Sequence, residues 1–345
     1  MARHTDVRSV TPEPLLESKG QLVNPFPSRR DVCHFLLTAG AAPLAFAQDA
    51  AYPSRPIRII IGAPAGGAGD QMARMMGDEM TRAWGQPSIV ESKPGANQAI
   101  GMSAVAKAAP DGYTLFAGST AYTLNLALRK DAGYGPNDLI PVCHLANTPV
   151  VMVVPAHLKV ETMEQFVALA RSQQGKLGFG STGVGSAPHF NGAMLNLQAG
   201  TNLIHVPYKG ESALLTDLIA GELSTAWITF GTALPLLKAG KLKVISVSGD
   251  TRLPAMPSLP TSTEAGYPLL SGYFGFWTTA GTPPAVVEKL SREMARFTKS
   301  TEVSRRLVEF GFAPVGGTSE QFKGFLAEEF KRWKAASVAT GITLD

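Results

Sequence analysis

Short β-branched runs alternate with amphipathic segments along most of the chain. Residues 57–61 (IRIII) read as a buried strand, followed by a Gly-rich turn and a helix over 70–84. Residues 88–91 and 113–117 read as strands flanking a helix over 98–108. Alternation of this kind predicts a parallel sheet with helices on both faces. The middle repeats the pattern, with strands over 149–154, 177–180, 203–206, 225–229 and 244–247 and helices over 161–172, 187–198 and 213–220. After a Pro-rich loop the stretch 272–279 reads as extended, and helices over 284–298, 302–309 and 319–336 close the chain. Two βα blocks with a helical tail predict two α/β lobes, and the extended stretches 141–154 and 272–279 are the candidate crossings between them.

The first 50 residues break this rhythm. Ser28-Arg29-Arg30 precedes an apolar stretch, Val32 to Phe46, that ends in Ala45-Phe46-Ala47. Charged, apolar and A-x-A parts in that order predict an export signal, cleaved before Gln48. The double arginine hints at twin-arginine export, although Val32 stands where that motif prefers Phe. The expected location is the periplasm. Of the two cysteines, Cys33 lies in the leader, so the mature chain keeps only Cys143, read as a small apolar strand residue.

Composition narrows the function. At 345 residues, 45% apolar and 17% charged, the chain is long and apolar enough for real cores. The net charge of +4 is spread out with no basic, aromatic-interleaved stripe, so nucleic acid is not an expected partner.

Candidate chemistry sits in four strand-end loops. In the first, Ala65, Gly66, Gly67, Ala68, Gly69 and Asp70 join a strand to a helix N-terminus, where free N–H groups suit an anion. Glu91 ends the next strand as in a dinucleotide site, but Met72 occupies the third glycine position. Asp70 either caps the helix or accepts a donor from a ligand. The second loop is Gly118-Ser119-Thr120, readable as ligand contact or as an ordinary cap. The third, Gly180 to Ser186, repeats the first in the other block. Ser181, Thr182, Gly183 and Ser186 supply hydroxyls and turns there, and His189 is either packed or a ligand group. In the fourth, Tyr208 and Lys209 either line the cleft or face solvent. Two matching loops, one per lobe, would hold the ends of a dianion with neutral donors.

No catalytic or metal constellation accompanies them. Ser181 has Phe179 rather than Gly two residues before it, and Ser119 has Ala117 and Ala121 two residues to either side, so neither fits a nucleophile elbow. His144, His157, His189 and His205 lack metal-ligand spacing, and there is no Walker A sequence. The expectation is a binding protein with no cofactor, no metal and no catalytic residue.

Taken in order, Tyr52 to Arg58, Gly66 to Asp70, Gly85-Gln86-Pro87, Lys93 to Ala96, Ala106 to Leu115, Gly180 to Ser186, His205 to Gly210, Ala239 to Lys243, Leu259-Pro260-Thr261, Glu264-Ala265-Gly266 and Ala280 to Pro283 resemble the Bug-type solute receptors, the substrate-binding proteins of tripartite tricarboxylate transporters. The resemblance implies a type II periplasmic-binding-protein fold, with two α/β lobes, two hinge crossings and a ligand cleft between them. It divides the chain into a leader (1–47), lobe 1 (48–147 and 273–345) and lobe 2 (148–272). It implies a receptor that holds a small carboxylate (a di- or tricarboxylate, an acidic amino acid or an aromatic carboxylate) between the residues numbered above and delivers it to membrane permease subunits. The alternatives are a receptor feeding a signalling partner and a secreted enzyme, and a monomer is expected. Family members usually carry Pro-Phe-Pro-Pro before the Gly-Gly pair. Here Gly62-Ala63-Pro64-Ala65 stands there, and the smaller residues leave the particular ligand open.

Overall fold

The computed structural model describes residues 52–344. The expected leader, with Cys33 and the twin-arginine hint, lies outside the described residues.

Ile57–Ile61 forms β1, with Arg58 its one exposed residue. A strand so uniformly apolar needs cover on both faces, and it has it. On one side lies α1 (Ala68–Trp84), whose Met72, Met76 and Met80 recur every four residues along a buried stripe. On the other lies α2 (Ala99–Ala106), with Met102 and Val105 fully buried. The elements β2 (Ser88–Ser92), β3 (Thr114–Ser119), α3 (Ala121–Leu128) and β4 (Leu139–Thr148) complete the first block.

Next come β5 (Val150–Pro155), α4 (Met163–Ser172), β6 (Gly178–Ser181), α5 (Ala187–Ala199), β7 (Ile204–Pro207), α6 (Glu211–Ala220), β8 (Thr225–Thr229), α7 (Phe230–Lys238) and β9 (Leu242–Val247). The tail holds β10 (Gly272–Thr279), α8 (Pro284–Thr298), α9 (Thr301–Glu309), β11 (Ala313–Gly317) and α10 (Ser319–Thr340).

Two sheets result, ordered β11-β4-β10-β3-β1-β2 and β7-β6-β8-β5-β9. They share one plan. In each, the first strand of a βαβ unit lies between two parallel neighbours, β2 and β3 around β1, and β7 and β8 around β6. In each, one antiparallel strand is inserted next, β10 in the first and β5 in the second. Those are the strands that arrive from the other lobe. The sheets are therefore mixed, which corrects the expectation of wholly parallel ones: a strand entering from the partner lobe comes in from the opposite end.

The crossings also sit slightly differently from expectation. The first is the single step at Pro149 between β4 and β5. The second is the stretch 248–271, with β10 itself a central strand of the first sheet. The two crossings hold each other: Ser248 N donates to Val150 O (2.9 Å), and Val150 N donates to Ser248 Oγ (3.1 Å).

Helix α10 packs its first half on the first sheet through Phe322 and Leu326. Its second half reaches α5 of the other lobe, where buried Trp333 meets Phe190 edge-on at 5.4 Å. A capping box between Thr318 and Gln321 fixes where it starts.

Candidate ligand cleft

The parallel order β2-β1-β3 brings three strand-end loops side by side. The first runs exposed from Pro64 to Gly67 into α1, whose N-cap Gly67 supplies no side-chain cap. The first-turn amides of α1 thus stay open to a ligand or water. Asp70 closes this loop from behind. Its Oδ2 accepts from Gly66 N (2.9 Å) and from Arg74 Nε (3.0 Å). The Arg74 hydrogen bond is the main cause holding its carboxyl below the usual range, against the opposing effect of burial. Its Oδ1 is buried with no hydrogen-bond partner.

The next loop, after β2, was not among the expected site residues. Ala96, Asn97 and Gln98 take left-handed backbone conformations in succession (φ 48°, 52° and 69°). Three such residues in a row store strain of about 1–3 kcal/mol each, which the surroundings must hold in place. Gln98 supplies the hold by gripping Ser119 with both ends of its amide, Nε2 to Ser119 Oγ (2.7 Å) and Ser119 N to Oε1 (3.3 Å). Asn125 Nδ2 donates to Asn97 O (2.8 Å). Gly62 is required here, because a Cβ on it would lie 2.4 Å from Gln98 Cβ. The sequence signal was Pro94-Gly95 directly after a strand.

In the second expected loop Gly118 is buried, Ser119 is taken by Gln98, and Thr120 Oγ1 accepts from Tyr273 N of β10 (3.0 Å). Thr120 is therefore tied to the strand that follows the second crossing, which places the loop at the hinge.

The third loop belongs to the other sheet. Ser181 is fully buried at the end of β6, and its Oγ lies 2.6 Å from His205 Nε2 while accepting from Gly183 N (3.1 Å). Ser186 caps α5 by accepting from His189 N, and its hydroxyl donates to Gly183 O (2.7 Å). His189 is both packed and bonded. Its Nδ1 accepts from Gly185 N (3.1 Å), and its ring stacks on His205 with centroids 3.8 Å apart. Burial lowers both imidazoles; His189 falls to about 4, with the neighbouring ring adding to the effect. His205 was likewise not expected as a site residue. Tyr208 donates its hydroxyl to Asp217 Oδ2 (2.6 Å), and Lys209 is exposed.

The structure thus joins the second expected loop to the loop after β2 through Gln98 and brings the third and fourth together around His205. Among the described residues no hydrogen bond links the first-lobe loops to the second-lobe loop. A cavity of about 180 Å³ lies beside the crossings, lined among others by Asn147, Ser248, Asp250 and Glu329, and it includes none of the loop residues. Its Glu329 is already bound by Arg332 (3.1 Å) and Trp333 (2.9 Å). Among the described residues no cluster of three or more His, Cys, Asp or Glu is placed to hold a metal ion, and no helix is long and apolar enough to cross a membrane. Cys143 is buried in β4 with its thiol pushed up to about 12, as suits a packed strand residue.

Comparison with known proteins agrees with this geometry. Residues 72–342 match the family described as the tripartite tricarboxylate transporter family receptor. Protein BugT of Bordetella pertussis is 31% identical over 90% of this chain and 96% of its own length. Among solved structures, R. palustris Rpa4515 with adipate superposes with a TM-score of 0.77 at 28% identity, over 85% of this chain and 99% of that one. MatC from Rhodopseudomonas palustris with bound malate gives 0.72 at 27% identity, over 83% and 99%. The family and these solved relatives are binding proteins, not enzymes.

Proposed function

We propose that this chain, which belongs to the tripartite tricarboxylate transporter receptor family, is an exported receptor that captures a small carboxylate between its two lobes and presents it to membrane permease subunits. The observation that carries this reading is the paired construction at the hinge. Each lobe ends a parallel strand in a small-residue loop that runs into a helix N-terminus, and neither loop brings an arginine or lysine. Amides, hydroxyls and helix dipoles attract carboxylates without a full charge. Ligand touching both loops binds the closed arrangement better than the open one and shifts the population toward it.

Residues 48–147 with 273–345 would then act as lobe 1 and 148–272 as lobe 2, with 1–47 as the export leader into the periplasm. The ligand contacts are the loops Ala65 to Asp70, Gly118 to Thr120 and Ser181 to Ser186, with His189, Tyr208 and Lys209 at the second-lobe rim. Solved relatives that hold adipate and malate favour a dicarboxylate. The unpartnered Asp70 Oδ1 favours one that also carries a donor, such as a hydroxyl or ammonium, toward the first lobe.

Thermal shifts of the refolded, ligand-stripped protein against about 1 mM of each of a panel of carboxylates test this. A ligand with a Kd near 1 µM adds roughly 4 kcal/mol of stability. A shift confined to one carboxylate class supports the reading and names the class; none with any carboxylate rejects it.

A further inference from the structure

Beneath the second-lobe loop lies a device that carrying a ligand does not by itself require. Phe179 of β6 forms its floor, stacked on His205 with centroids 5.0 Å apart. His205 in turn stacks on His189 at 3.8 Å with 12° between the planes. Gly192 of α5 makes room for the floor, since a Cβ there would lie 2.1 Å from Phe179 Cε2. Each imidazole reaches one point of the loop: His205 touches Ser181 Oγ, and His189 accepts from the backbone of Gly185.

Hydrogen-bond chemistry fixes the protonation of this stack. A backbone N–H only donates, so His189 Nδ1 must be bare and the ring's proton must sit on Nε2. Ser181 Oγ already accepts from Gly183 N and has one proton to give. That proton goes to Gly183 O (3.1 Å), which leaves the second lone pair of Ser181 Oγ to accept from His205 Nε2–H at 2.6 Å. A proton added to His189 would put two N–H groups head to head at Gly185. A proton added to His205 would enter at Nδ1 and set a positive charge against the stacked His189 ring.

Among the described residues the elements packed on the pair bring it no compensating charge, and the segment after α10 reaches the loop at Gly185 through the apolar Leu344. Phe179 and Ser181 come from β6, Ser186 and Phe190 from the α5 end, and Trp227 of β8 packs behind Phe179. Among charged groups farther along, Lys209 is exposed, Glu211 is bound to Thr229, and Asp217 is bound to Tyr208.

We propose that His189 and His205 are a positioning pair that keeps the Thr182–Ser186 loop in its ligand-receiving shape only while both imidazoles are neutral. This rests on the reading of that loop as a carboxylate contact. It makes binding sensitive to acid through the protein itself, and it leaves His189 Nε2–H as a neutral donor at the rim. The depressed affinity of both rings for protons, caused first by burial, keeps the shape intact through neutral pH.

The test uses the full chain, isotopically labelled. Ring-nitrogen correlations at pH 7.5 are expected to show the Nε2–H form of both His189 and His205. On acidification to pH 3 the Gly183 and Gly185 amide signals should move together with the imidazole titration. His189→Asn keeps an acceptor but cannot titrate, so its Gly185 amide should hold still over the same range. His189→Ala should release that amide at every pH. Rings that titrate near pH 6.5 without moving either amide, or a His189→Asn protein with the wild-type pH step, would overturn the proposal. A binding arm uses malate and adipate as probes at both pH values. At pH 3 wild type should have lost about tenfold more affinity than His189→Asn, which experiences the same titration of the probe. If neither probe binds at pH 7.5, the carboxylate reading of the loop falls, while the amide signals still judge the histidine pair.

Discussion

In the first lobe the strand-end loops are held by side-chain amides and one ion pair around a strained turn; in the second, the loop in the matching place is held by neutral rings and hydroxyls. Gln98 and Asn125 pin the left-handed turn before α2, and Asp70, paired with Arg74, pins Gly66 before α1. Ser181, His189 and His205 pin the Gly183–Ser186 turn with no formal charge at all. The difference assigns complementary roles. The second lobe suits the charged end of an anion. The first combines open helix amides with a carboxylate oxygen that still needs a donor, and so suits a ligand end bearing both an acceptor and a donor.

The largest expected effect comes from removing the floor of the second-lobe loop. Phe179→Ala empties a fully buried ring position and should cost about 3–5 kcal/mol, read from the denaturant midpoint. The matching cut in the first lobe is Gly62→Ala. Its Cβ has no room against Gln98, and the expected loss is about 1–3 kcal/mol, with the Gln98–Ser119 bridge displaced. If Gly62→Ala left stability unchanged, the strained turn would not be the element that organises the first lobe.

Asp70→Ala should cost about 1–2 kcal/mol, because Gly66 N loses its acceptor at a loop closing onto a helix start. Asp70→Asn should recover part of this.

The smallest effect separates the lobes by pH. His189 has a lower proton affinity folded than unfolded, so its contribution is complete above about pH 6.5 and is lost as pH falls toward 4. Asp70 is also lowered, so its contribution persists until the pH falls below the usual carboxylate range. Between pH 6.5 and 4.5 the stability lost to His189 should be about 1 kcal/mol after solvent screening, absent in His189→Asn and present in Asp70→Asn.

Much of this arrangement was legible in the chain. The β1, β8, β10 and α8 spans match the apolar runs residue for residue; β1 and α8 do so because Pro56 and Gly62, and Pro283 and Lys299, end their patterns. Three elements were not legible. Helix α3 (AYTLNLAL) is buried on nearly all sides and so shows no polar face. Helix α7 contains Gly231 and Pro235, which read as breaks. Strand β11 (APVGG) reads as loop and is a strand only because β4 pairs with it. Of the site, the glycine loops and their hydroxyls could be read from spacing. Gln98 and His205 could not, since each acts through a partner more than 20 residues away that only the folded sheets bring close.

The central claim is that one carboxylate is shared between the two lobes. Small-angle X-ray scattering of the ligand-stripped protein, with and without the carboxylate giving the largest thermal shift, tests it most directly. The account predicts a smaller radius of gyration on binding, lost in a variant of either loop. Tight binding with an unchanged radius of gyration would contradict it.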